Sequence, residues 1–146
     1  MNTYPHALTR YGKMANAESN PLKQIVLLFD GAIKFLNMTA DDIEAGDFVS
    51  KGEHSNRALD IISYLQGILN LEEGGAVADS YDKLYRSLTV LILRASVELD
   101  ADLMRHSAEL IVPVRDAWEI NIQKAALEPA LGNGREIETS AWTTSS

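Results

Sequence analysis

The most restrictive feature of this sequence is a stretch without proline that covers residues 22–112 of the 146. Apolar residues within it recur every three or four positions, which is the spacing of one face of an α-helix. Alternating segments joined by Asn-Gly or Asp-Gly hairpin turns are missing, and the pair Asp30-Gly31 lies inside a helical pattern. The stretch therefore predicts long helices joined by short turns, in a chain long enough to bury a core as one domain.

Capping residues predict where the first two helices begin and end. Asn20 and Pro21 predict the start of the first helix. The Asn side chain accepts a hydrogen bond from a free backbone N–H group there, and proline at the first position loses no helical hydrogen bond. Gly46 predicts the end of this helix, since glycine readily adopts the left-handed conformation that closes a C-terminus. The second helix is expected to begin near Asp47, or near Ser50 as part of a capping box.

The second half of the chain continues the same pattern. The second helix is expected to run to Leu69, followed by a turn over residues 70–75 and a third helix over residues 76–98. Asp100 is the expected cap of the fourth helix. Pro113 lies inside that helix and predicts a kink, because proline removes one hydrogen bond of the helical ladder.

Four helices of about 20–25 residues joined by short turns predict an all-α protein, an antiparallel up-down four-helix bundle. We expect the bundle to occupy residues 20–127. Residues 1–19 are expected to form a flexible N-terminal arm. Residues 128–146 are rich in Gly, Ser and Thr and are expected to form a disordered tail.

Charge and composition argue against several kinds of partner. The net charge of −8 repels phosphate backbones, so binding of nucleic acid is not expected. The absence of cysteine excludes disulfide scaffolds, thiolate zinc sites and cysteine nucleophiles. The apolar runs at 25–29 and 90–93 are far shorter than the ~20 residues of a spanning helix. With no signal peptide visible, the sequence predicts a cytoplasmic protein without membrane insertion.

The sequence predicts no catalytic, cofactor or metal site. Di-iron carboxylate bundles use Glu-x-x-His pairs on facing helices, and none of His6, His54 and His106 has a Glu three positions before it. Clusters of Asp and Glu fall at predicted helix ends, where capping explains them, and no glycine-rich phosphate loop is present. We therefore expect a protein that is not an enzyme, with a cofactor-binding enzyme of unrecognised type as an open alternative.

The second and third helices carry more apolar residues than the roughly three per heptad that a bundle core needs. Lines beside the expected core lines predict a groove for an amphipathic helix of a partner protein. A third line on the third helix, Val90, Leu93 and Val97, adds to this surplus. Two alternatives stay open, namely that the third helix is simply the most buried one and that the chain dimerises. The expected groove residues are Ile61, Tyr64, Ile68, Tyr85 and Ile92.

Five short segments, in order along the chain, carry the motifs of one known family. They are NPL with LLFDGAIKFL (20–36), RA with II and Leu65 (57–65), LNLEEGG (69–75), LY (84–85) and VRDAW (114–118). In order they resemble the first helix, the second helix, the following turn, the third helix and the fourth helix of the flagellar export chaperone family FliS. Phe29 stands where that family commonly has Tyr. The matches span residues 11–118, nearly the whole expected folded region.

The resemblance implies a function that the composition alone does not reach. It implies a bundle that binds the C-terminal region of flagellin in the cytosol, blocks premature polymerisation and helps deliver flagellin to the type III export gate. It also implies a mobile N-terminal segment, with Tyr4 and Tyr11, that covers the binding surface when flagellin is absent. The alternative from another class is a structural or regulatory homo-oligomeric bundle, whose extra apolar lines pair with its own copy.

Overall fold

The described part of the chain is entirely built from helices. The computed structural model describes the backbone of residues 20–73 and 75–145, and the side chains of residues 20–68 and 79–124 together with Leu127. Within these residues there are four α-helices and no β-strand, which confirms the predicted fold class. The helices are α1 (Pro21–Ala45), α2 (Phe48–Glu73), α3 (Gly75–Glu98) and α4 (Ala101–Ser145).

The four helices form a bundle in which consecutive helices are antiparallel neighbours. α1 packs against α2 and α4, and α3 packs against the same two helices from the other side. Ion pairs along the α1–α4 interface show the opposite directions of these helices. Arg105, near the start of α4, pairs with Asp41 near the end of α1 at 3.1 Å, whereas Arg115 pairs with Asp30 at 2.8 Å. Advancing along α4 therefore means moving back along α1.

The predicted caps explain where three of the helices begin. The Asn20 side chain accepts a hydrogen bond from the backbone N–H of Leu22 at 2.9 Å, and Pro21 opens α1. Asp100 accepts from the backbone N–H of Leu103 at 2.9 Å at the start of α4. At α2 the cap is Asp47, which accepts from the backbone N–H of Ser50 at 3.1 Å, so the earlier of the two expected starts is the one adopted.

Two predicted boundaries differ from the structure. α2 continues to Glu73, so most of the turn expected over residues 70–75 is helical, and the reversal occurs around Gly75 with φ of 58°. Leucine and glutamate are good helix formers, which explains why the helix extends over LNLEE. α4 is helical from Ala101 to Ser145, past the bundle end expected at Leu127. The disordered tail expected over residues 128–146 stays a prediction. A helix satisfies its own backbone hydrogen bonds, so it can extend beyond the neighbours it packs on.

The core runs along the bundle axis and contains large side chains from every helix. α1 and α2 approach each other closely at Gly31, where a Cβ atom would lie 3.3 Å from Cδ1 of Ile61. A side chain at position 31 would be in tight contact with Ile61, which favours a glycine in the middle of this helix. The largest fully buried side chains include Phe29, Leu36, Ile62, Leu65, Leu88, Met104 and Ile111. No helix among the described residues is long and apolar enough to span a membrane.

Candidate partner-binding surface

Three of the five residues expected to line a groove belong to the core instead. Ile61, Tyr85 and Ile92 are fully buried. The prediction was wrong for a geometric reason. Tyr85 and Ile92 lie three positions before and four positions after Leu88, so all three share one face of α3. Ile61 likewise lies four positions before Leu65 in α2.

The other predicted residues lie at the edge of the core or outside the described part of the chain. Tyr64 and Ile68 are half-buried and pack against the core cluster from α2. Tyr4 and Tyr11 lie outside the described residues. A role for these four residues in partner binding therefore stays a prediction.

The exposed apolar surface of α3 is the third line found in the sequence. Val90, Leu93 and Val97 are exposed to 63%, 49% and 82%. Their spacing of three and seven positions puts them on one face of the helix, and this face is opposite to the one that buries Leu88 and Ile92. We call these three residues the α3 stripe. The spacing alone revealed the stripe, but only the packing shows that it faces outward.

A second exposed line follows α4. Leu110 and Ile120 are exposed large side chains, and Pro113 and Ala117 are exposed between them. Pro113, Ala117 and Ile120 lie three, seven and ten positions after Leu110, which puts all four residues on one face of α4. An isolated exposed apolar residue needs no explanation, whereas two ordered lines on adjacent helices are typical of an interaction surface.

The interface between α1 and α4 carries ion pairs around Arg115. Arg115 donates to Asp30 at 2.8 Å and to Asp116 at 3.2 Å, and lies 3.6 Å from Glu119. The hydrogen bond to Asp30 is the main reason that the pKa of Arg115 is raised. Asp30, Arg115 and Glu119 border a shallow pocket of about 220 Å³ between α1 and α4, with Ile122 among its apolar lining residues. Arg115 therefore links α4 to α1 beside this pocket.

The described residues offer no arrangement that could hold a metal ion. No group of three or more His, Asp or Glu side chains converges within the described ranges. His54 instead contacts Asp42 at 2.6 Å between Nδ1 and Oδ2, and its ring stacks on Phe35 with centroids 5.9 Å apart. This histidine therefore links α2 to α1.

Tyr85 carries a buried hydroxyl group without a hydrogen bond within the described structure, and the indole N–H of Trp118 is in the same situation. Burial raises the pKa of the Tyr85 phenol, and the charge of the neighbouring Tyr81 raises it further. An unsatisfied buried hydroxyl lowers stability by about 1–3 kcal/mol. Tyr85 therefore contributes its ring to the core and gains nothing from its oxygen.

Replacing Tyr85 by Phe is expected to raise the free energy of unfolding by about 1 kcal/mol at neutral pH. The advantage of the variant should grow in alkali. The pKa of Tyr85 is above its unfolded value of 10.0 in the fold, so the wild-type contribution is complete below pH 10 and declines above it. The expected decline is up to about 1.4 kcal/mol per pH unit. Urea unfolding at pH 7 and pH 11 measures the difference in the free energy of unfolding between the variant and the wild type. A difference of the same size at both pH values would contradict the expected growth in alkali.

Most of this chain matches one known protein family. Residues 4–125 match the family described as "Flagellar protein FliS". The chain belongs to the FliS family. The matched range covers α1, α2, α3 and the part of α4 that packs on the core, so the family assignment rests on the whole bundle. It confirms the resemblance seen in the five sequence motifs.

Three curated relatives carry the name "Flagellar secretion chaperone FliS". The protein of Vibrio cholerae is 32% identical over 101 residues, covering 69% of this chain and 74% of its own. That of Salmonella typhimurium is 32% identical over 111 residues, covering 75% and 82%. That of Bacillus subtilis is 28% identical over 117 residues, covering 79% and 85%. The similarity therefore extends over most of each relative.

Proposed function

We propose that this protein is a flagellar export chaperone that binds the C-terminal region of flagellin, keeps it from polymerising prematurely and aids its delivery to the export apparatus. Membership of the FliS family, whose curated relatives are named flagellar secretion chaperones, supports the export role. The exposed α3 stripe supports the binding of a client, and it is the observation on which the proposal depends.

The shape of the exposed surface suits a client that is a helical segment. The α3 stripe spans two turns of helix, and the exposed line on α4 adds a second row of apolar side chains. An amphipathic helix that lies along such rows buries residues spaced three, four and seven positions apart. Ordering a disordered segment has an entropic cost, which a large buried apolar area offsets. No chemical step is required of the chaperone.

Titration calorimetry with a flagellin C-terminal fragment tests the proposal. We expect a one-to-one complex and a large negative change in heat capacity, which marks the burial of apolar surface. Absence of heat and of any shift in a parallel sedimentation run, with the fragment at high micromolar concentration, would contradict it. Light scattering of the free protein addresses the homo-oligomeric alternative. A stable oligomer that the fragment does not dissociate would favour that alternative.

The N-terminal arm is predicted to cover the binding surface when flagellin is absent. A tyrosine buries an apolar ring while its hydroxyl stays in water, so Tyr4 and Tyr11 suit a removable cover. Deleting residues 2–18 is expected to raise the aggregation of the free protein and to spare the fold, since α1 begins at Pro21. A removable cover also lowers the apparent affinity for the client, so the deletion should tighten binding.

Amide hydrogen exchange checks this cover directly. Exchange over residues 64–68 and 85–97 should be faster in the deletion variant than in the intact free protein. Identical exchange in the two proteins would mean that the arm has no such role.

A further inference from the structure

One end of the bundle carries a separate apolar surface. The α1–α2 and α3–α4 connections lie at this end, where Nζ of Lys51 donates to the backbone oxygen of Ser96 at 3.0 Å. This contact holds the first turn of α2 beside the last turn of α3. Three exposed apolar residues lie within about one turn of it, and we call them the turn-end patch. They are Phe48, Val49 and Leu99.

The backbone at Leu99 is unfavourable for a leucine. Its φ is 55°, and the backbone N–H of Asp100 donates to the oxygen of Ala95 at 2.9 Å, which closes α3 in a Schellman motif. α1 closes with the same motif, and there the left-handed position is held by Gly46 with φ of 72°. A leucine in this conformation strains the backbone, whereas glycine does not.

The side chain of Leu99 is only partly buried, and its 44% exposure leaves apolar area open to another molecule. Backbone strain at a residue where glycine would close the same motif points to a function at that residue. Phe48 and Val49, on the neighbouring helix end, are more exposed than buried. The turn-end patch therefore fits a surface that another molecule covers.

The surroundings of the patch are acidic. Asp47 precedes Phe48, Glu98 and Asp100 flank Leu99, and Asp102 lies in the first turn of α4. Of the basic side chains close by, Arg94 pairs with Glu98 at 3.1 Å and Arg105 pairs with Asp41 and Glu44. Lys51 donates to the neutral Ser96 oxygen and keeps its charge. Asp47, Asp100 and Asp102 outnumber Lys51, so the rim of the patch keeps a net negative charge.

We propose that the turn-end patch docks a helical segment of a partner protein other than the client, with apolar residues flanked by Lys or Arg. The negative rim attracts a basic segment and repels an anionic lipid surface. It also repels a second copy of this chain, which would bring the same acidic rim against itself. This docking surface is distinct from the α3 stripe, so the proposal can be tested independently of flagellin binding.

Replacing Leu99 by Gly tests whether this leucine stabilises the fold or serves docking. If the leucine serves docking, the variant relieves the backbone strain and its melting temperature equals or exceeds that of the wild type. A melting temperature several degrees lower would show that Leu99 stabilises the fold, and would overturn the proposal.

Two synthetic peptides of about five helical turns, near 18 residues each, test the occupant. Both carry leucines spaced three, four and seven apart, and they differ only in Lys or Glu at the flanking positions. Either peptide can also lie on the α3 stripe, so binding is followed at the turn-end patch itself. We expect the Lys peptide alone to shift the amide signals of residues 47–51 and 96–102, with a weaker effect as salt is raised. The double variant Phe48→Ser, Leu99→Gly should lower the affinity of the patch for the Lys peptide about tenfold or more, because central apolar contacts are lost.

Val112→Ser, at an exposed apolar position of α4 outside both the α3 stripe and the turn-end patch, is the matched control and should leave these shifts unchanged. Equal shifts of these signals by both peptides, or no shifts with the Lys peptide, would overturn the proposal. So would binding of the wild type to phosphatidylserine vesicles that the double variant loses. Loss of flagellin binding in Leu99→Gly would assign the patch to the client surface, and would overturn the separate site while supporting the proposed function.

Discussion

Replacing Ile61 by Asp is expected to remove a large part of the free energy of unfolding of the protein. Ile61 is fully buried, and a Cβ atom at Gly31 of α1 would lie only 3.3 Å from its Cδ1 atom, so α1 packs closely on this side chain. A carboxylate buried there loses its hydration, and the loss of stability should be about 4 kcal/mol or more. The whole stability of a domain this size is about 5–15 kcal/mol. Circular dichroism during thermal and urea unfolding measures the loss.

The matched control is Val97→Asp, which introduces the same side chain at a position exposed to 82%. This variant should change the free energy of unfolding by no more than about 0.5 kcal/mol, because an exposed carboxylate stays hydrated. Equal stability of the two variants would mean that Ile61 faces solvent, as the helical spacing alone suggested. The pair therefore tests the boundary between core and surface with one chemical change.

The ends of the helices were predictable because capping is local. Asn20, Gly46 and Asp100 act on backbone groups within a few positions, so the sequence around each one contains all the needed information. The end of α2 differs from prediction because its local signals conflict. The LNLEE segment holds good helix formers and continues α2, although the glycines after it suggested an earlier turn.

The faces of the helices were harder to predict, since they depend on where neighbouring helices lie. In a four-helix ring every helix touches two others and buries an arc wide enough for several lines of side chains. The lines through Tyr85 and Ile92 fall inside the arc that α3 presents to α2 and α4, and they are buried. Only the line through Leu93 falls outside it. Periodicity revealed the surplus of apolar residues, but it gave no means of choosing among adjacent lines.

Replacing Leu93 by Asp is expected to weaken the binding of the flagellin fragment by about 30-fold or more. Leu93 lies in the middle of the α3 stripe, and loss of a central apolar anchor typically lowers the binding free energy by about 2 kcal/mol. The fold should be spared, because Leu93 is 49% exposed and opposite to the buried face of α3. Titration calorimetry gives the affinity, and the melting temperature reports on the fold.

Asn37→Asp is the control for charge in this experiment. Asn37 is exposed on α1, which packs on α2 and α4 and lies across the bundle from α3. The control adds the same negative charge to an already acidic protein, so a general electrostatic effect would weaken binding in both variants and fade as salt is raised. A loss confined to Leu93→Asp and insensitive to salt identifies the apolar contact itself. Unchanged affinity in a folded Leu93→Asp variant would show that the client binds elsewhere, even if the protein binds flagellin.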